Sequence, residues 1–63
     1  NLLSQREIEI IDHLKQGLSS KEIALQLNIT LKTVEVHRHN ILKKLNLKNT
    51  AALVNFINNA GIA

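Results

Sequence analysis

Lys32, Glu35, Val36, His39 and Lys43 follow one another at steps of three, one, three and four. At about 100° per residue, that spacing puts all five on one side of a helix. The set holds donors, one acceptor, an imidazole and one apolar group. This is the chemistry that reads a major groove. Lysine donates to guanine O6 and N7, a carboxylate accepts from cytosine N4, and an apolar group touches the thymine methyl. His39 can donate to a base or a phosphate. Taken singly, Val36 is also an ordinary surface valine. In the middle of this polar face it fits a methyl contact. Lys32, Glu35, Val36 and His39 are the candidate base readers.

A second group of residues suits phosphates. Thr30 and Thr33 stand near the start of the same helix, where free N–H groups and the positive dipole end attract anions. Ser20 and Lys21 open the preceding helix and can act in the same way. Lys43 and Lys44 lie further along, where backbone contact is easier than base contact. Each lysine by itself is equally well explained as a solvated side chain.

Other chemistries fail on inventory. There is no cysteine and no tyrosine, and two glycines are too few for a phosphate loop. The imidazoles are His13, His37 and His39. His37 and His39 are two apart and point to different helix faces, so they cannot share a metal. Asp12 and His13 are adjacent and diverge likewise. His37 falls on the core side, where packing explains it better than ligation. No catalysis, metal or cofactor is expected. Single-strand binders stack bases on aromatic rings, and Phe56 is the one aromatic residue. Duplex DNA is the better target.

The elements that position these residues follow from helix punctuation. Ser4-Gln5-Arg6-Glu7 and Ser19-Ser20-Lys21-Glu22 both have the form of a capping box. Ile8, Ile11 and Leu14, with Ile10 beside them, follow the first at helical spacing, and Gly17 supplies a left-handed stop. The second box opens a short helix with Ile23, Ala24 and Leu27 on one face, and Asn28 can end it. Thr30 caps a longer helix whose core stripe is Val34, Ile41 and Leu45, with His37 and Arg38 on the same side. Asn46 can stop it. Thr50 caps a last helix that Gly61 ends. The fold expected is all-α, a compact four-helix domain with helices at about 5–16, 20–27, 31–45 and 51–59. Its middle, a short helix, a turn near Asn28-Ile29-Thr30 and a longer helix, is a helix-turn-helix.

Charge and composition agree with this layout. The net charge is +3. Residues 1–30 carry Arg6, Lys15 and Lys21 against Glu7, Glu9, Asp12 and Glu22. Residues 31–48 carry Lys32, Arg38, Lys43, Lys44 and Lys48 against Glu35 alone, and residues 49–63 carry no charged side chain. A localised basic stripe is the footprint of a nucleic-acid binder, although charge alone fits a solvated helix face equally well. No apolar run approaches the ~18 residues that span a membrane, so a soluble, cytoplasmic protein is expected. A chain of 63 residues is one domain near the lower size limit for folding without staples. Starting at Asn1 and holding no methionine, it is expected to be excised from a longer protein.

The last helix raises a further expectation. Leu53, Val54, Phe56 and Ile57 cover more than one face of it, with asparagines between. An apolar surplus on an uncharged terminal helix suggests a partner surface. The expectation is a homodimer seam built from Val54, Ile57 and Asn58. Deeper burial within one copy explains the surplus equally well. Phe56, at helical spacing from Ala52 and Leu53, reads as core. The competing function is a helical protein-interaction or dimerisation module without DNA binding.

The stretch GLSSKEIALQLNITLKTVEVHRHNILKKLNL, residues 17–47, resembles the LuxR-type helix-turn-helix, and Leu3-Ser4-Gln5-Arg6-Glu7 looks like that family's opening. The likeness covers essentially the whole chain. The TVEVHRHNIL stretch is most similar to the output domains of bacterial two-component response regulators. The resemblance implies a four-helix DNA-binding domain that dimerises through its last helix and regulates transcription. It also implies an N-terminal receiver domain phosphorylated on aspartate. The family's base-contacting positions fall on Glu35, Val36 and His39, and its backbone contacts on Thr33 and lysines such as Lys44. Glu35 is lysine in many relatives, so base preference does not carry over. Thr50 stands where an arginine is frequent. Glu22 and Asn40 are expected to bond or ion-pair between helices.

Overall fold

The computed structural model describes residues 3–59. Four helices follow in order: α1 Gln5–Lys15, α2 Ser20–Leu27, α3 Leu31–Leu45 and α4 Thr50–Asn59. No strand occurs among the described residues.

Each start is locally encoded. Ser4 Oγ accepts from the Glu7 N–H at 3.2 Å, and Glu7 Oε1 accepts from the Ser4 N–H at 2.9 Å. Ser19 and Glu22 repeat this reciprocal pair at 3.2 and 2.8 Å. Thr30 Oγ1 accepts from the Thr33 N–H at 3.1 Å. These bonds satisfy donors that a helix start leaves open. The start of α4 differs from expectation. Ala52 N–H donates to Asn49 Oδ1 at 2.8 Å, and Leu53 N–H to the Asn49 carbonyl at 3.1 Å. Asn49 is therefore the cap, and Thr50 is the first residue of the helix.

Three helix ends share one device. Gly17, Asn28 and Asn46 adopt positive φ of 90°, 58° and 58°. Each reverses the chain so that the next N–H bonds back across the last turn. Leu18 donates to the His13 carbonyl at 3.2 Å, Ile29 to Ala24 at 3.0 Å, and Leu47 to Leu42 at 2.8 Å. This is the Schellman pattern, and it carries an apolar residue back onto the helix. Leu18, Ile29 and Leu47 all pack against the core. The Gly61 stop lies outside the described residues.

Every helix contributes to that core. Ile10, Ile23, Ala24, Val34, Ile41, Leu53 and Ile57 are buried, and Ile11, Leu14, Leu27, Leu42 and Leu45 pack around them. α3 packs against all three other helices, while α4 rests on α1 and α3 and does not meet α2. The α2–turn–α3 unit is thus held from behind by α1. Two expectations about the core are corrected. Ile8 is exposed and Ile10 takes the fully buried place on α1. Phe56 is 41% exposed, because Leu53 and Ile57 already fill the inward side of α4.

Candidate DNA-reading face

α3 divides cleanly. Val34 and Ile41 are buried and Leu45 is half-buried, all on the inner side. Lys32, Glu35, His39 and Lys43 are exposed on the outer side, with Val36 at 51%. The five residues expected to share one face are therefore all at the surface. Leu31 is also exposed at the start of α3, and Leu25 on α2. Neither was singled out by spacing, since each resembles a core leucine in a helical stretch. The N-terminal half of α3 carries Lys32, Glu35, Val36 and His39, the half that faces base edges in a helix-turn-helix.

The phosphate candidates are placed unequally. Lys21 is exposed in the first turn of α2, and Thr30 is exposed at the cap of α3. Thr30 and Thr33 share a hydrogen bond of 2.8 Å between their hydroxyls. Ser20 is half-buried, and its Oγ accepts from Arg38 Nη1. Lys43 is exposed in the last turn of α3. Lys44 has an internal task. Its Nζ lies 2.8 Å from Oε1 of Glu7, which is only 3% exposed. The Lys44 ammonium, followed by the Ser4 backbone N–H, holds the Glu7 carboxyl below its ordinary range, against the opposing pull of burial. This pair ties the start of α1 to the end of α3. The interhelical ion pair anticipated for Glu22 is made here instead, and Glu22 remains exposed in its own capping box.

Arg38 has a task that helical spacing alone does not reveal. It lies on the inner flank of α3, with a side chain 18% exposed. Nη1 donates to Ser20 Oγ on α2 and to Glu35 Oε1 and Oε2 at 3.2 and 3.1 Å. Nη2 donates to Thr50 Oγ1 on α4. A signal was available: a cation on the core side of a helix demands partners.

On α4, Val54 and Asn58 are exposed, whereas Ile57 is 2% exposed within a single copy. Ile57 is thus part of the chain's own core, and any surface for a second copy must be built from its neighbours.

A helix-turn-helix braced by two further helices, with a polar outer face on its second helix, defines a DNA-binding domain of transcription regulators. The chain belongs to the luxR family of bacterial regulatory proteins, whose pattern matches residues 1–57. It is 56% identical over 55 residues to the transcriptional regulatory protein TdiR of Thauera aromatica, covering 87% of this chain and 24% of that protein. It is 44% identical over 62 residues to the nitrate/nitrite response regulator protein NarP of Escherichia coli K12, covering 97% and 29%. The oxygen regulatory protein NreC of Staphylococcus carnosus shares 46% over 55 residues, covering 87% and 25%. The chain thus spans about a quarter of the length of these curated relatives. The family and these relatives are regulatory proteins. Among the described residues, no helix is long and apolar enough to cross a membrane.

Proposed function

We propose that α3 enters the major groove of duplex DNA and sorts sequences with Glu35, Val36, His39 and Lys32. The observation that carries this reading is the outer face of α3. Its side chains are exposed while the opposite side of the helix is committed to the core. Ser20, Lys21, Thr30, Thr33 and Lys43 set the register against phosphates, and Lys44 adds to them from its place beside Glu7. Phosphate contacts position the domain and base contacts specify the site. Two copies occupy two half-sites, meeting through Val54 and Asn58 on α4.

In the cell this segment is the C-terminal part of a longer cytoplasmic regulator. An N-terminal receiver domain phosphorylated on aspartate controls it. Support comes from the family resemblance and from the small share of each relative that the chain covers.

The test is fluorescence anisotropy of a labelled random-sequence duplex, titrated with the chain at several salt concentrations beside a single-stranded control. Duplex binding should weaken linearly in log affinity against log salt, with a slope of about 0.9 per phosphate contact. A tethered dimer of the chain that still binds no duplex at low salt would favour the protein-interaction reading.

A further inference from the structure

Arg38 occupies a position from which it touches three helices at once. Its guanidinium bonds Ser20 at the start of α2 and Thr50 at the start of α4. The same Nη1 reaches both oxygens of Glu35, one turn back on α3. Arg38 is mostly covered, whereas the Glu35 side chain is 52% exposed. The pair therefore differs from an exposed ion pair between two mobile chains. One partner is held from below by two hydroxyls on other helices, and the other is presented outward.

We propose that Arg38 is a positioning residue for specificity, which orients the Glu35 carboxylate toward the base edge that it reads. The inference rests on the groove reading of α3 given above. Two physical effects act together. Nη1, on a guanidinium held in place by the Ser20 and Thr50 hydroxyls, makes charge-assisted hydrogen bonds to both carboxylate oxygens and so restricts where Glu35 can point. Its positive charge also offsets an anion that must approach the phosphate backbone. Thr50 belongs to this device. It anchors the far nitrogen of the guanidinium at the head of α4, remote from the outer face of α3.

The experiment measures base preference, since a merely structural role for Arg38 would not change it at one position alone. A preferred duplex is selected from a random library with the wild-type chain. Binding is then compared across duplexes with each base pair substituted in turn. Glu35→Ala identifies the base pair that Glu35 reads. Arg38→Met should reduce discrimination at that same base pair by about fivefold or more, the lower end for one base contact. It should leave the preferences conferred by Val36 and His39 in place. In the Glu35→Ala background, Arg38→Met should reduce discrimination no further. Thr50→Val should act in the same direction and more weakly, and it decides the matter if Arg38→Met does not fold. Unchanged discrimination, or equal loss at every base pair, overturns the role of Arg38 and leaves the groove reading standing. A wild-type chain that selects no sequence from the library overturns both.

Discussion

Val36 and His39 share the outer face with Glu35, but neither makes a side-chain hydrogen bond or ion pair with the described residues that would fix its direction. Val36 offers only shape, and its value depends on meeting a methyl group in the groove. His39 offers a donor whose target is a base or a phosphate. The two kinds of contact separate by substitution. Val36→Ala and His39→Ala should each cost roughly 1–3 kcal/mol on the preferred duplex and relax preference at one base pair. Anisotropy titrations on a panel of substituted duplexes measure this. A loss of equal size on every duplex would make that residue a backbone contact.

At the scale of the elements, the domain depends on where its helices stop. The turn between α2 and α3 is made by a left-handed Asn28, and α3 ends on a left-handed Asn46. Asparagine tolerates this conformation and β-branched residues resist it. Asn46→Val is expected to lower stability by about 1–2 kcal/mol, because the left-handed region is costly for residues with a Cβ. Asn46→Gly should be neutral or stabilising, since glycine enters that region freely. Thermal unfolding followed by circular dichroism measures both. Equal effects of the two substitutions would place the importance of Asn46 in its side chain instead of its backbone angle.

At the scale of the molecule, the Glu7–Lys44 pair links the first helix to the end of the third. The folded-state pKa of Glu7 lies below its ordinary value of 4.5. Its stabilising contribution is therefore present above about that value and is lost as pH falls through the depressed folded pKa. The melting temperature should drop on acidification below about pH 4.5, and Glu7→Gln should flatten this drop while lowering stability at neutral pH. Lys44→Ala should cost about 1–3 kcal/mol, since it leaves a buried carboxylate without its cation. An acid limb of the same steepness in Glu7→Gln would show that other carboxylates govern it.

The helices, their capping boxes, the three left-handed stops and the outer face of α3 were legible in the sequence. All of them are local: a cap spans three residues, a stop spans about five, and a helix face repeats every three or four. The LuxR resemblance was legible for the same reason, since it lies in a contiguous stretch. What only the tertiary structure decided was the fate of side chains whose partners are distant along the chain. Glu7 and Lys44 are far apart in sequence, as are Arg38, Ser20 and Thr50, and nothing in helical periodicity pairs them. The same holds for α4. Four apolar residues within five positions allow several inward faces, and only packing against α1 and α3 buried Leu53 and Ile57 while leaving Val54 and Phe56 at the surface.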